Sequence, residues 1–293
     1  MLSDERNLPA NVGTDAYMQA FATGVFDQLD DCLTYVSQTG DLTTPGSVTT
    51  PGFANTMVGF RCYKFNDPLA TSLDIFLRVD VGTGTADYRE PGVKVAVGLT
   101  LNGSGTLSGT YKTASTLTAS ALYKTGGTDA PSYMSHGAGY FHWVWNVDQA
   151  DSRFGAAIVV ERPFNNGAAT SEGFLFWARS SAGGHRQFIS PTDAPSVFSG
   201  DEAYIGPVST GFVTETFSRK QLWPLFYPTA ISTRHTRCAI YKHANIPALS
   251  ELTGGDAASW FGGSTGFKTI GGTALNRVTA NSGPDGLAIG WES

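Results

Sequence analysis

Between residues 72 and 81 the chain alternates. Leu73, Ile75, Leu77, Val79 and Val81 fall on one parity; Asp74, Phe76, Arg78 and Asp80 fall on the other. A period of two belongs to a strand with one buried face. A glycine-rich turn, Val81-Gly82-Thr83-Gly84-Thr85, comes next. Residues 92–101 then repeat the pattern, with Val93, Val95, Val97, Leu99 and Leu101 on one face. Asn102-Gly103 is a turn signal. The two runs predict a hairpin or a pair of adjacent strands. Later segments extend the series. Residues 140–147 are aromatic and β-prone. Residues 154–162 are apolar on both parities, which predicts a strand covered on both faces. Residues 173–179, after a turn holding Asn166-Gly167, complete a second hairpin. Residues 236–242 and 286–291 predict short strands. Residues 221–228 are aromatic but interrupted by Pro224 and Pro228, which suits an edge segment or a docking arm.

One stretch has another period. In residues 14–29, Tyr17, Phe21, Val25 and Leu29 recur every fourth position, so they share a helix face, and Thr14 or Asp15 can cap the start. Gly24 opposes this by roughly 1 kcal/mol against alanine. The alternative is an irregular arm lying on a neighbouring subunit. Residues 38–55 carry Pro-Gly twice and predict a loop. Apart from a short helical turn that 247–260 could hold, residues 102–286 show no helical periodicity, which excludes a parallel α/β sheet. No fixed-period repeat is present. The expected fold is all-β: an antiparallel β-sandwich or jelly-roll-like domain, or domains, with an N-terminal helix or extended arm. The expected division is an N-terminal helix or arm with a linker over 1–55, a main β-sandwich domain over 56–215, and C-terminal strands with a docking segment over 216–293, separate or completing the same domain.

Composition narrows the function. Charged residues are 15% of the chain, against about 25% in ordinary domains. Glycine supplies 35 of 293 positions, and small polar residues must cover much of the surface. Apolar residues at 41% are enough to build a core, so disorder is excluded. A net charge of −6 without a dense Lys/Arg cluster argues against direct nucleic-acid binding. No 18-residue apolar run predicts a membrane span, and the polar start MLSDERNLPANVG is not expected to act as a secretory signal. The cysteines, Cys32, Cys62 and Cys238, are odd in number and widely spaced. Free buried thiols are expected, with a Cys32–Cys62 disulfide as the alternative.

Candidate chemistry is sparse. Gly262-Gly263-Ser264-Thr265-Gly266 matches G-x-S-x-G, but a nucleophile elbow needs a helix after it, and Phe267-Lys268-Thr269-Ile270-Gly271 does not start one. His235, Cys238 and His243 lie within nine residues, yet 235 and 238 face opposite sides of a strand. His136, His142 and His185 have no evident ligand partners. Asp74 and Asp80 would sit about 20 Å apart on an extended strand, too far for a glycosidase pair. Asp27, Asp30 and Asp31 cluster at the helix end, where solvation or ion pairing is expected. No catalytic residue, cofactor or metal ligand is therefore assigned. Aromatic residues are the remaining candidates: Tyr17, Phe21, Trp223, Phe226 and Tyr227 for a subunit interface, and Trp143 and Trp145 for stacking on a sugar ring.

The run FRCYKFNDPLATSLDIFLRVDVGTGTADYREPGVKVAVGLTLNGSGTLSG, residues 60–109, resembles a pattern in virion structural proteins of tailed bacteriophages. There, a segment of the form Y-x-F-N-D-x-L-x-x-T precedes strands that end near G-x-G-x-L-x-G. Phe65-Asn66-Asp67-Pro68-Leu69, Val81-Gly82-Thr83-Gly84 and Gly103-Ser104-Gly105-Thr106-Leu107-Ser108-Gly109 carry the likeness. FGAAIVVER, the loop 163–171 and GFLFWAR continue it to about residue 180. Val81 stands where an aromatic is usual. The resemblance implies a non-enzymatic component of the tail tip, baseplate or collar, assembled in the host cytoplasm into the virion. Its implied partners are other copies of itself and other virion proteins. A receptor- or glycan-binding module of the particle, or a head-decoration protein, is the alternative. A depolymerase or esterase would need a clustered carboxylate pair, or Ser264 beside a histidine.

Overall fold

The computed structural model describes residues 2–9, 11–66, 74–84, 87–108, 117–118, 130–137, 139–145, 156–161, 164–165, 168–169, 174–180, 183–189, 222–228, 233–242, 251–252, 266–270 and 285–291. In chain order the elements are β1 (Leu2–Leu8), α1 (Asp15–Cys32), β2 (Thr34–Tyr35), β3 (Met57–Lys64), β4 (Phe76–Thr83), β5 (Pro91–Gly98), β6 (Thr100–Leu101) and β7 (Leu107–Ser108). Then come β8 (Leu117–Thr118), β9 (Ala130–Gly137), β10 (Tyr140–Trp145), β11 (Ala156–Glu161), β12 (Phe164–Asn165), β13 (Ala168–Ala169), β14 (Phe174–Ser180) and β15 (Gly183–Ile189). The last are β16 (Leu222–Pro228), β17 (Thr233–Lys242), β18 (Glu251–Leu252), β19 (Gly266–Ile270) and β20 (Asp285–Trp291). The described residues are mostly β-strand in antiparallel sheets, with one α-helix.

The period-two runs fold as their pattern requires. β4 and β5 pair in continuous register from Phe76↔Gly98 to Thr83↔Pro91. Ile75, Leu77, Val79, Val81, Val93, Val95 and Val97 are buried on one side. β2, β3 and β8 complete a five-stranded sheet, order β2-β3-β4-β5-β8. The alternation through Leu99 and Leu101 does not extend β5. Gly98 ends it, and β6 turns back to pair with β7. In that turn Asn102 Oδ1 accepts from the N–H groups of Ser104 (3.1 Å) and Thr106 (2.8 Å), and the left-handed residue is Gly105, φ 73°, rather than Gly103. A side chain at 105 would also strike the Phe60 ring. A type I turn closed by a left-handed glycine is the usual three-residue hairpin solution.

A six-stranded sheet has the order β1-β9-β10-β11-β14-β15, so the 154–179 hairpin forms as β11 and β14. A third sheet has the order β13-β12-β17-β20-β19-β18, with β16 also on β17. Because β12 pairs with β17, this sheet takes strands from both sides of the expected boundary at 215.

Helix α1 begins after Thr14, whose extended backbone (φ −136°) lets its hydroxyl accept from the Tyr17 N–H. It ends where Leu33 turns extended. Met18, Phe21, Ala22, Val25, Phe26 and Leu29 form its buried stripe. This stripe joins one core cluster with the inner face of β4 and β5 and with Met134, Phe141, Trp143, Ile158 and Val160 of the six-stranded sheet. Of the two readings of 1–55, helix or arm, the described residues hold the helix: β1 pairs along its whole length with β9, and α1 is buried in the core of its own chain.

Candidate functional site

Three segments distant in sequence are tied together at one end of the core. The Val12 N–H donates to Arg89 O at 2.7 Å, joining the lead-in to α1 to the β4–β5 connection. Asp15, in the first turn of α1, accepts from the Thr50 N–H at 2.7 Å. The buried hydroxyl of Thr83 donates to Phe53 O (2.8 Å) and accepts from the Thr56 N–H (3.0 Å), and the Asn55 N–H donates to Gly84 O. Each segment carries an exposed aromatic: Tyr17 on the helix, Phe53 in the loop, Tyr88 in the connection. Their exposures are 53%, 78% and 39%, and they are the only large apolar side chains so exposed among the residues whose side chains are described. The loop under Tyr88 is braced. Asp87 Oδ1 accepts from the Arg89 N–H at 2.9 Å, and the Arg89 guanidinium pairs with Asp87 Oδ2 at 3.2 Å. The backbone bond and the guanidinium hold the Asp87 carboxyl below its ordinary value. Behind it, burial first and Asp87 second push the Glu90 carboxyl up. Exposed aromatics on a braced backbone are suited to a partner surface, since the segments that carry them need no ordering on contact.

Among the residues expected at an interface, Tyr17 is on this surface. Phe21 is not; it is 0% exposed inside the core. At roughly 100° per residue, positions 17 and 18 straddle the edge of the buried stripe, and Met18 takes the inner place. Trp223, Phe226 and Tyr227 lie on β16, which pairs with β17 and shifts register between Pro224 and Phe226; their side chains are outside the described part. Trp143, expected as a sugar-stacking candidate, is 2% exposed, and its Nε1–H donates to Ser132 Oγ at 2.8 Å. It is a core residue. Trp145 shares β10, with its side chain outside the described part.

The other candidates are also placed. Cys32 and Cys62 are free and buried, so the disulfide alternative is not formed. Burial pushes their thiols up, to about 12 and about 11 respectively. Asp74 pairs with Lys64 at 2.7 Å, and Asp80 with Arg78 at 2.8 Å. Asp30 and Asp31 pair with Arg61 and Arg6. His142 is buried opposite Ser135, and burial lowers His136. His185 is on β15 and His235 with Cys238 on β17, while His243 lies outside the described residues. Residues 262–265 are likewise outside the described part, and Gly266 opens the strand β19 where an elbow requires a helix. No helix among the described residues is long and apolar enough to cross a membrane.

Sequence reasoning missed Phe53 and Tyr88. A lone aromatic in a Pro-Gly loop, PGF at 51–53, and another beside a clasped Asp-x-Arg were the available signals. The sequence matches no protein-family model and no curated protein.

Proposed function

We propose that the chain is a non-enzymatic structural component of a tailed-bacteriophage particle, sited in the tail tip, baseplate or collar. It assembles through contacts with copies of itself and other virion proteins. Its antiparallel sheets are then the layers of a β-sandwich or jelly-roll-like body. The observation that carries this reading is the set of exposed aromatics, Tyr17, Phe53 and Tyr88, on three segments fastened to one another. The chain as a whole is poor in charge, at 15%. The likeness of residues 60–109 to virion proteins supplies the particle. The burial of Trp143 removes one support for a glycan-binding role.

The test is gold labelling of the chain on purified particles, read by negative-stain microscopy. Label at the tail is expected, and particles free of the chain would end the proposal. A Tyr17→Ser/Phe53→Ser/Tyr88→Ser variant should fold but be left out of particles. Normal incorporation would show that these aromatics take no part in assembly.

A further inference from the structure

Gly24 lies in the middle of α1, where glycine costs about 1 kcal/mol against alanine. A Cβ there would stand 2.7 Å from Leu8 Cδ2. The bare backbone makes a notch, and Leu8 of β1 fills it at 1% exposure. One turn along, Gln28 is fully buried on a helix face otherwise apolar. Its Nε2 donates to Asp4 O of β1 at 3.3 Å and to Ser132 O of β9 at 3.1 Å. A turn further, Asp31 pairs with the guanidinium of Arg6. The other wall is the edge of β9, which gives β1 a seven-residue ladder from Leu2↔His136 to Leu8↔Ala130. Helix and strand edge together form a groove fitted to an extended segment with a leucine at one end and an arginine two residues before it.

The strand and its groove differ in what each loses on separation. Between its leucines β1 reads Ser3, Asp4, Glu5, Arg6, Asn7, so a released strand is satisfied by water. An emptied groove holds an apolar notch, the unpaired ladder of β9 and a buried amide short of one acceptor. Water can solvate the freed edge and amide as it does the strand, but the notch and the core beneath it would be left as exposed apolar surface, so the groove favours an occupant. On the helix side of the strand the chain is anchored by Val12, which is 0% exposed and bonded to Arg89.

We infer that the α1–β9 groove is a strand-acceptor site, and that in the assembled state it takes Leu2–Leu8 of a second copy in exchange for its own. Every bond of the closed chain is remade across the pair, so the exchange costs hinge rearrangement and association entropy alone. A reciprocal exchange closes as a symmetric dimer. The inference concerns self-assembly and stands apart from the particle in which the chain works.

The test uses two full-length variants. Leu8→Asp spoils the strand and leaves the groove. Gly24→Leu fills the notch and leaves the strand. Native mass spectrometry of each alone should show the 31.0 kDa chain, and an equimolar mixture should show a 1:1 species of twice that mass. The double variant carries neither a sound strand nor a sound groove. Mixed with either single variant it should give no such species. A mixture holding only single chains, or pairs formed equally well with the double variant, would overturn the inference. Should a variant fail to fold, the wild-type chain answers the question. A fluorescent peptide of residues 2–8 in excess should be captured, with a saturable rise in anisotropy that unlabelled peptide competes away. No capture over days would overturn the inference.

Discussion

Helix α1 carries a polar cluster on each side, and the two are built differently. Toward the six-stranded sheet, Ser132 Oγ donates to Gln28 Oε1 and accepts from the Trp143 indole, with all three residues at or below 2% exposure. Toward the five-stranded sheet, Arg61 Nη1 donates to Asp30 Oδ2 at 2.7 Å, and Tyr63 donates to Asp30 Oδ1 at 3.0 Å. Arg61 Nε also donates to Leu42 O at 2.9 Å, and the guanidinium lies 4.9 Å from the Phe26 ring centroid and 5.1 Å from that of Tyr35. The first cluster is neutral and wholly inside. The second is ionic, and its Asp30 side chain stays 37% exposed. Dehydrating an ion costs far more than dehydrating an amide that keeps its bonds. The interior therefore takes the neutral network, and the charged one sits where its carboxylate still meets water.

The largest effect should come from the interior. Gln28→Leu leaves the Asp4 and Ser132 carbonyls without the amide donor and the Ser132 hydroxyl without its acceptor. A loss of about 3 kcal/mol is expected, read from urea unfolding. A loss below about 1 kcal/mol would mean the network is not what holds β1 and β9 to the helix. Arg61→Met should cost less, about 2 kcal/mol, because Asp30 can turn to solvent. If it proved the more damaging substitution, the contrast between the two sides would fail.

Alkali should give the next largest effect. Cys62, Cys32 and Tyr63 are all held above their ordinary values, chiefly by burial. A group raised in the folded state binds its proton longer there than in the unfolded chain. Stability is therefore full below the ordinary thiol value of 9.0 and falls as pH climbs toward about 11 for Cys62 and about 12 for Cys32. Each thiol removes at most about 1.4 kcal/mol per pH unit. Urea midpoints between pH 8 and 10.5 should fall, and Cys62→Ala should flatten that slope relative to its own midpoint at pH 8. An unchanged slope would show that this thiol does not control the response. The smallest effect belongs to the exposed aromatics. Phe53→Ser should shift stability by less than about 0.5 kcal/mol, and a larger loss would make Phe53 part of the core rather than of a docking surface.

What the sequence showed depended on how local the signal was. The runs in β4 and β5 were legible because alternation is written within ten residues and one face alone is fully buried. α1 was legible too, within a few residues at its C-terminal end, although Tyr17 and Met18 exchange roles at the margin of the stripe. β1 was not. Its middle is polar, and its partner, β9, buries Ser132 and Ser135 and shows no apolar alternation. A pairing set by a distant partner leaves little trace in either segment. Gly24 counted against a helix when its neighbours were unknown, yet against Leu8 it is the residue that fits. Trp143 could have been core or surface by identity, and only the sheet decided. Gln28 and Arg61 were invisible because their value lies in carbonyls supplied by other segments.

The pairing of β1 with β9 has a consequence during synthesis. The ribosome completes Leu8 and must add roughly 120 residues before Ala130 emerges, a wait on the order of ten seconds at ordinary elongation rates. Through that interval a nascent strand has no partner and risks pairing with whatever is nearby. Ser3, Asp4, Glu5, Arg6 and Asn7 are the kind of residues that keep such a strand solvated until its template is made. The polarity that hid β1 from periodicity is thus what lets it wait.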